Sequence, residues 1–530
     1  MRVITLITFR SNSVIAGLEI PVSQRLSIIV VLVVLVFSRQ PEARLMASAA
    51  KSPKGRPNII FFLVDDMGWQ ETSVPFHREV TALNRRYRTP AMERMAREGI
   101  KFTNAYASAV CSPSRISALS GMNAARHGVT NWTLRKGVSP DDENQTVEPP
   151  RWNLNGATTV AGIDRTVRIT PLPEMLRAAG YRTIHVGKAH FGAEGTPGAD
   201  PLHFGFDVNI AGHAAGAPGS YWGEKNFAGA DRIWDVPGLA AWHGQSINLT
   251  EVLTREAIGE VERSVRKQQP FYLYLSHYAV HAPWEEDRRF YQKYIDEGLT
   301  RPEAIRASMI ESMDRSLGDL MDSLDRLGVA DNTLLLFVSD NGAPHAVPLN
   351  LPLRGQKLAP YEGGIRVPMM ARWPVVTLAS SISHTPVIIE DLFPTILDAA
   401  SVNWRKKTIQ TVDGVSFVPA LTGQERRLPD HALNRPLIFH FPHQYYGQGP
   451  FSAIRLGPWK LIHQHAEGKM ELYNIDRDIS ESNDLSLKER AVTIRLARIL
   501  AARLRAEKAM MPVVRQTGRP VTISTFIPHA

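Results

Sequence analysis

Residues 58–66 read NIIFFLVDD, an unbroken apolar run that ends in two acidic residues. Such a run is typical of a central strand that is buried on both faces of a sheet. From Pro57 onward, similar runs alternate with amphipathic segments that carry helix signals, such as Thr89 as N-cap, Pro90 at the first helical position and Gly99 after the last turn. This alternation predicts an α/β fold with a mostly parallel central sheet and helices on both faces.

Polar residues follow the strands of this predicted sheet. Strands are predicted at 58–64, 181–186, 271–275 and 333–338, and helices at 173–179, 250–267 and 302–327. The residues that follow the strands are Asp65, Asp66, Lys188, His190, His281, Asp340 and Asn341. Because ligands of open α/β sheets bind outside the carboxyl ends of the strands, we expect one shared site. Helix caps and turns also favour Asp and Asn there, but they do not explain the lysine and the histidines.

The rest of the chain suggests two insertions and a smaller C-terminal unit. Residues 131–169 and 203–244 lack clear periodicity, and we interpret them as surface insertions over the active face. After residue 427 the pattern changes to short strands, which predict a small antiparallel sheet closed by a helix at 487–508. We therefore divide the chain into a catalytic domain (57–426), a C-terminal α+β subdomain (427–510) and a tail (511–530).

The formal net charge of +9 is concentrated at the two ends of the chain. Residues 1–49 carry a net +3 and residues 486–530 a net +7, so the residues between them carry about −1. A strongly basic body would indicate a nucleic-acid or anionic membrane partner. This body is neutral, and the basic C-terminal segment has the pattern of an amphipathic helix with a solvated face. We predict no nucleic-acid partner.

The N-terminal segment has the pattern of an export signal. Arg25 precedes an apolar run at 26–37, which is shorter than the roughly 20 residues needed to span a bilayer. Residues 47–49 (ASA) match a small-residue cleavage site. We predict that 1–49 form a signal peptide of an exported protein, periplasmic, extracellular or in the secretory pathway. An uncleaved N-terminal anchor is the alternative, and the mature body is not expected to span a membrane.

Cys111 is the single cysteine of the chain, which excludes an internal disulfide, a CxxC redox pair and a cysteine-rich zinc site. In isolation it would be a buried thiol beside a helix N-cap. Its context is the pentad CSPSR at 111–115, followed by LSG at 119–121. The pentad resembles the C-x-P-S-R signature of the formylglycine-dependent (type I) sulfatases of the alkaline-phosphatase-like superfamily. In that family a separate enzyme oxidises the cysteine to formylglycine, an aldehyde that hydrates to a gem-diol.

Further motifs in the same order extend this resemblance from about 57 to 485. Residues 65–69 and 339–342 are similar to the family's two metal pairs, and residues 187–192 are similar to its G-K-x-H-x-G element. Residues 281–283 match its second histidine. Lys357 and residues 362–368 match its last lysine and the E-G-G-x-R-x-P run. Glu71 departs from the pattern because an Asp is common near the first metal pair. It does not occupy a proposed catalytic position.

The acidic pairs predict a metal site. Asp65, Asp66, Asp340 and Asn341 offer oxygen donors without a thiolate or imidazole among them, which suits a hard cation rather than zinc. We expect Ca²⁺ in preference to Mg²⁺. The resemblance adds residue Cys111 to this set, since one hydroxyl of its hydrated aldehyde would be held on the metal.

The resemblance also implies a reaction. The residue-111 hydroxyl attacks the sulfur, Asp340 takes its proton, and His281 with Lys357 protonates or stabilises the leaving oxygen. The second hydroxyl then loses its proton to His190, which expels sulfate and regenerates the aldehyde. Arg115, Lys188 and Lys357 supply positive charge to the sulfate group.

The expected substrate is a sulfated carbohydrate, and the expected partner in maturation is a formylglycine-generating or anaerobic sulfatase-maturing enzyme. Aromatic rings stack on sugars, and imidazoles bond hydroxyls, so we consider six residues as substrate contacts: His213, Tyr221, Trp222, His443, Tyr445 and Tyr446. Packing within the loop is the alternative for Tyr221 and Trp222. Two other functions stay open on the same fold, a phosphonate monoester or phosphodiester hydrolase and a catalytically inert glycan-binding protein.

Overall fold

The computed structural model describes residues 55–344, 348–428 and 430–523. Its central sheet has eight strands, numbered β1 to β8 in chain order: Asn58–Val64, Ile100–Phe102, Arg182–Gly187, Val208–Ile210, Phe271–Ser276, Thr333–Ser339, Met369–Arg372 and Ser381–Ser383. The strands lie in the order β8-β2-β7-β6-β1-β5-β3-β4. Within the described chain, only β7 runs antiparallel to its neighbours. The predicted mostly parallel α/β fold is confirmed.

The residues of β1 alternate between two hydrophobic cores. Phe61 and Leu63 face one core, while Ile60 and Phe62 face the other. Helices cover both faces, and the longer ones are α1 to α6: Pro90–Glu98, Cys111–Ser120, Leu172–Ala178, Leu249–Arg266, Arg301–Arg326 and Leu392–Ala399. Helices α2, α3 and α6 pack on the Phe61 face, and α1, α4 and α5 pack on the Phe62 face. Each large apolar side chain that is fully buried contributes about 1.5–3 kcal/mol.

The start of α1 differs from the prediction in one respect. Thr89 occupies the N-cap position, but its side chain bonds Ser73 instead of capping the helix. The carboxylate of Asp314 in α5 accepts hydrogen bonds from the backbone N–H groups of Ala91 and Met92, at 2.9 and 2.8 Å. A distant helix thus satisfies donors that have no partner inside α1.

The C-terminal segment forms the predicted antiparallel sheet. Its strands β9 to β12 are Leu437–Phe441, Phe451–Leu456, Trp459–Gln464 and Lys469–Asn474. Helix α7, Arg490–Ala506, packs Leu496 and Leu500 against Ile454 and Leu461 on one face of this sheet. On the other face, Phe439 and its neighbours belong to the same core as α2.

All the described residues belong to one compact unit, so the division at 426/427 stays a prediction. Part of the predicted tail has regular structure, because Val513–Val514 pairs with both Arg519–Pro520 and Val147–Glu148. The described ranges also contain two smaller strand pairings, six short α-helices and eight 3₁₀ helices. The pairings are Ala105–Tyr106 with Val387–Ile388 and Ala157–Thr158 with Val167–Arg168. The short α-helices are Ala82–Arg86, Ala124–His127, Tyr291–Asp296, Glu362–Ile365, Val418–Leu421 and Asp430–Leu433. The 3₁₀ helices are Pro197–Ala199, Pro201–Phe204, Gly223–Lys225, Arg232–Trp234, Ala240–Trp242, Ala330–Asn332, Ile389–Asp391 and Glu425–Arg427.

The predicted signal segment, residues 1–49, lies outside the described residues. In the part that is described, none of the helices combines the length and the apolar character that a bilayer crossing requires.

Candidate active site

Four adjacent parallel strands, β6, β1, β5 and β3, bring the predicted residues together at their carboxyl ends. The backbone N–H of Asp66 lies 3.2 Å from Asp340 Oδ1, and Asn341 Nδ2 lies 2.7 Å from Asp66 Oδ1. Lys188, after β3, forms an ion pair with Asp65, after β1. The convergence that the sequence predicts is therefore present.

Backbone geometry fixes the direction of two of these side chains. Asp66 and His190 have φ angles of 61° and 58°, in the left-handed region that non-glycine residues seldom occupy. Gly187 at the end of β3 has φ 97°, and a Cβ atom there would lie 1.9 Å from the carbonyl oxygen of Ser276. Glycine is required at this position because β3 and β5 approach each other so closely.

Cys111 is the first residue of α2 and is 3% exposed. Burial raises the pKa of its thiol. Two hydroxyl groups in the same turn hold the loops around it: Ser112 Oγ accepts from the N–H of Thr133 at 3.3 Å, and Ser114 Oγ accepts from that of Ser108 at 2.9 Å. The positive end of a helix dipole at residue 111 favours an anionic ligand there.

Arg115 lies one turn further along α2 and is fully buried. Its Nε and Nη2 atoms lie 2.9 and 2.7 Å from Asp340 Oδ2. Its Nη1 donates to the Lys188 carbonyl at 3.1 Å and to Ser276 Oγ at 2.6 Å. Arg115 therefore ties the ends of β3, β5 and β6 together beneath the cavity.

Lys357 contacts the metal pair from the opposite side. Its Nζ lies 2.6 Å from Asp66 Oδ1. Burial opposes the charge on both partners, but their mutual attraction prevails, so the pKa of Asp66 lies below its usual value and that of Lys357 above. Burial raises the pKa of Asp65 and Asp340.

The two histidines present different ring atoms. Since a carbonyl oxygen only accepts, His190 Nε2 donates to Thr133 at 2.7 Å, which leaves Nδ1 as the acceptor of a neutral ring. His281 Nδ1 donates to the Ala282 carbonyl at 2.8 Å, and its Nε2 lies 3.7 Å from Asp66 Oδ2. Burial lowers the pKa of both rings, to about 3 for His281. Burial therefore favours the neutral form of both rings.

The donor set fits a divalent cation. Asp65 Oδ1 and Asn341 Oδ1 are buried and have no hydrogen-bond partner among the described residues. Ligand atoms of Asp65, Asp66 and His281 lie within 4.8 Å of one another. A cation between these atoms would satisfy the two oxygens, and it would offset the cost of burying several carboxylates together.

A cavity of about 490 Å³ opens above these residues. Its floor contains Asp66, Cys111, His190, His281 and Lys357. Its walls are rich in aromatic side chains, namely Trp132, Trp234, Trp284, Tyr445 and Tyr446. Trp132 and Trp234 belong to the two insertions that the sequence places over the active face, and the tyrosines follow β9. The arrangement combines a polar, charged floor with an apolar wall.

Four of the predicted substrate contacts have other surroundings and do not line this cavity in the described structure. Tyr221 is buried and donates to the carbonyl groups of Tyr278 and His281, at 2.7 and 2.8 Å. The Arg288 guanidinium lies 4.0 Å from the Trp222 ring centre. His443 is buried, 2.9 Å from Asp141. The His213 carbonyl accepts from the N–H of His190 at 3.2 Å. Their role as substrate contacts stays a prediction.

Sequence reasoning missed one buried ion pair. Arg306 in α5 lies 2.7 Å from Glu71 Oε2 and donates to the carbonyl groups of Asp66 and Val280, at 2.5 and 2.6 Å. Both charged side chains are fully buried. Arg306 thus links Glu71 to the backbone of Asp66, and the departure of Glu71 from the family pattern was the available signal. The three tryptophans of the wall were also missed.

Known proteins share this fold and a detectable part of this sequence. The chain matches the Sulfatase family over residues 57–402 and the C-terminal region of N-sulphoglucosamine sulphohydrolase over 356–509. It is 30% identical to the N-acetylgalactosamine-6-sulfatase of Mus musculus over 438 residues, which is 78% of this chain and 73% of that protein. The structure of Ps i-CgsB in complex with k-i-k-neocarrahexaose aligns with a TM-score of 0.68 and 25% identity, over 85% of this chain and 93% of that one.

A phosphonate monoester hydrolase of Agrobacterium radiobacter shares the fold, with a TM-score of 0.56 and 20% identity over 87% of this chain and all of that chain. The fold and its strand-end site define a hydrolase of the alkaline-phosphatase-like class. Within that class, the chain belongs to the sulfatase family and is a sulfuric ester hydrolase.

Proposed function

We propose that the chain hydrolyses sulfate monoesters of a carbohydrate, with residue 111 oxidised to formylglycine and Ca²⁺ bound to Asp65, Asp66, Asp340 and Asn341. The observation that carries this proposal is the position of Cys111, at the positive end of α2 and on the floor of an aromatic-walled cavity. Aromatic faces suit sugar rings. The names of the relatives, an N-acetylgalactosamine-6-sulfatase and a protein solved with a neocarrahexaose, support a carbohydrate ester.

The first half of the reaction forms a sulfated enzyme. One hydroxyl of hydrated residue 111 attacks the sulfur, and Asp340 takes its proton while Arg115 holds that carboxylate in place. The bond between sulfur and the sugar oxygen breaks. His281 Nε2, the ring atom that Ala282 does not engage, protonates this oxygen, and Lys357 stabilises it. Since burial lowers the pKa of His281 to about 3, the imidazolium depends on the negative charge of the bound ester.

The second half releases sulfate without water attacking sulfur. The remaining hydroxyl of residue 111 gives its proton to His190 Nδ1, the ring atom without a partner among the described residues. The carbon–oxygen bond to the sulfate group breaks, and the aldehyde is regenerated. The divalent cation, when bound, supplies positive charge for the sulfate oxygens and for the attacking hydroxyl. Lys188 keeps Asp65 oriented toward the cation.

Mass spectrometry and a paired substrate panel test this proposal. We expect the peptide with residue 111 to be lighter by about 18 Da than its cysteine form, because CHO replaces CH₂SH in the nucleophile's precursor. Co-expression with a formylglycine-generating or anaerobic sulfatase-maturing enzyme should raise this modified fraction and the activity together. Turnover should favour sulfated saccharides over matched phosphate and phosphonate esters. Full activity with unmodified Cys111, or preference for the phosphorus esters, would contradict the proposal.

A further inference from the structure

A second large cavity, of about 710 Å³, lies on the flank of the central sheet. It lies beyond the carboxyl ends of β2 and β8, where Thr103 and His384 line it. Trp69, three residues after Asp66, forms another part of the lining, and the β10–β11 turn at Gly457 closes it. This flank cavity shares no lining residue with the active-site cavity in the described structure.

The lining of the flank cavity is strongly basic. It contains Arg78, Lys101, Arg366, Arg455 and Arg477, against a single acidic residue, Asp476. Arg366 is paired with Glu362, and Arg78 with Glu79. The negative charge of Glu362 also acts on Arg455, and the Lys101 ammonium donates to the Pro75 carbonyl. No carboxylate of a described residue forms an ion pair with Lys101 or Arg477, so two positive charges around this cavity lack an acidic partner.

Two buried donors at the same cavity are unsatisfied. Arg455 is 3% exposed, and its Nε has no hydrogen-bond acceptor among the described residues, although Nη1 donates to Tyr106. The indole N–H of Trp69, which is 1% exposed, likewise lacks an acceptor there. The guanidinium of Arg366 lies 4.2 Å from the centre of the Trp69 ring. Buried donors without acceptors are rare in native proteins, and these two flank a basic cavity.

Apolar side chains complete the lining. Ile382, Pro386 and Ile479 offer apolar surface beside the cations. A ligand that suits both features carries a tetrahedral oxyanion on a ring with apolar faces. We propose that the flank cavity is a second binding site, which holds a sulfated sugar unit of a longer saccharide chain while another unit is hydrolysed at Cys111. The choice of a sulfated saccharide rests on the proposed function, whereas the anionic character of the ligand rests on the cavity.

The sheet places the two sites on one edge. Strand β2 is three positions from β1 in the sheet, so its end lies roughly 14 Å from the end of β1 at about 4.8 Å per strand. Strands β2 and β8 run parallel to β1. Both cavities therefore open beyond the carboxyl ends of strands, at the same edge of the sheet. An extended oligosaccharide can reach both sites, whereas a monosaccharide or an aryl sulfate can occupy only one.

Binding and kinetics of one double variant test this inference. Lys101→Gln with Arg477→Gln removes two unpaired cations from the flank cavity and leaves every proposed active-site residue intact. With a sulfated hexasaccharide, we expect KM to rise about tenfold with kcat unchanged, while KM for a small aryl sulfate stays constant. In a Cys111→Ala background, calorimetric affinity for the hexasaccharide should fall by a similar factor. Lys267→Gln with Arg315→Gln, at exposed positions elsewhere, is the matched control.

The affinities of different ligands for the double variant and for the control pair distinguish the possible outcomes. Equal hexasaccharide affinity in the double variant and the control pair would overturn the inference. Loss of inorganic sulfate or phosphate binding, without a change for the hexasaccharide, would also overturn it, because the cavity would then hold a free anion. An unsulfated hexasaccharide should show no difference between the variants. The binding comparison needs no turnover, so it decides the inference even if the proposed sulfatase reaction fails its own test.

Discussion

Arg115 holds Asp340 through two nitrogen atoms that share one carboxylate oxygen, Oδ2, at 2.9 and 2.7 Å. The other oxygen, Oδ1, accepts from the backbone N–H of Asp66 at 3.2 Å. Protein groups therefore hold Asp340 from two sides. The contact with Arg115 joins the CSPSR pentad to the strand end at Asp340, 225 residues further along the chain.

The first prediction concerns this contact. Arg115→Lys should lower kcat on an aryl sulfate by roughly 100-fold or more, because an ammonium group cannot reproduce the fixed fork of donors. Steady-state kinetics and the melting temperature provide the measurement. Arg151→Lys is the control, since the side chain of Arg151 is 79% exposed in its ion pair with Asp164. Near-normal turnover of the Arg115 variant would show that the contact is dispensable.

The second prediction concerns the metal. Removal of divalent ions with a chelator should abolish turnover, because the proposed ligands are oxygen atoms that hold a hard cation. We expect Ca²⁺ to restore turnover more effectively than Mg²⁺. Asp65→Asn should lower both the bound calcium, measured by elemental analysis, and kcat. Asp164→Asn, at a side chain that is 75% exposed, should change neither value. Activity that survives exhaustive chelation would refute the assignment.

The third prediction concerns the buried pair of Glu71 and Arg306. Glu71→Gln should destabilise the protein by about 3–5 kcal/mol, because it leaves the Arg306 charge unpaired in the core. The variant should also bind Ca²⁺ more weakly, since Arg306 positions the Asp66 carbonyl. Urea unfolding and calcium titration measure the two effects. Glu297→Gln, in an exposed pair with Arg88, is the control. A loss of stability with unchanged calcium affinity would confine Glu71 to a packing role.

The fourth prediction concerns acid stability. His440, His463 and His465 are buried in the C-terminal sheet, and Ser452 Oγ lies 2.7 and 2.9 Å from rings of His440 and His465. Burial lowers the pKa of His440 and His463 to about 4 and that of His465 further.

The unfolded chain, with histidine pKa values near 6.5, binds more protons than the native state below that pH. Stability should therefore fall as the pH drops from about 6.5 to 4, by roughly 3 kcal/mol or less for each ring. Urea midpoints at pH 7 and 4.5 measure this. His463→Gln should reduce the loss, and His203→Gln, at an exposed position, should not. An identical pH dependence in the His463 variant would contradict the explanation.

The fifth prediction separates two aromatic residues. Tyr445→Ala should lower kcat/KM for a sulfated saccharide by about tenfold, about 1.4 kcal/mol, while sparing an aryl sulfate, because Tyr445 lines the cavity wall. Trp222→Ala should reduce the melting temperature and affect both substrates equally, because Trp222 packs against Arg288. A changed ranking of saccharides in the Trp222 variant would restore that residue as a substrate contact.

The floor of the site could be predicted from sequence because most of its residues follow strands that the sequence identifies. The carboxyl ends of parallel strands share an edge, so Asp65, Lys188, His281 and Asp340 meet wherever the strands are assigned correctly. The structure places these residues at adjacent strands, with the predicted strand ends displaced by at most one or two residues.

The wall could not be predicted in the same way. Tyr221 and Trp222 lie in an insertion that covers the cavity, yet Trp234 of that insertion lines it. An irregular loop has no period that assigns a side chain to one face, so long-range packing decides between these neighbours. The Glu71–Arg306 pair also escaped prediction, since 235 residues separate its partners.

Most of the wall comes from other parts of the chain than the floor. Strand ends, the start of α2 and the loop with Lys357 provide the reacting groups, whereas both insertions, Trp284 after β5 and the segment after β9 provide the aromatic surface. One hydrogen bond of the floor has its partner in an insertion, because His190 Nε2 donates to the carbonyl of Thr133, next to Trp132. A substitution of Trp234 or Tyr445 is therefore expected to change which ester binds, whereas one beside Thr133 also disturbs the position of His190.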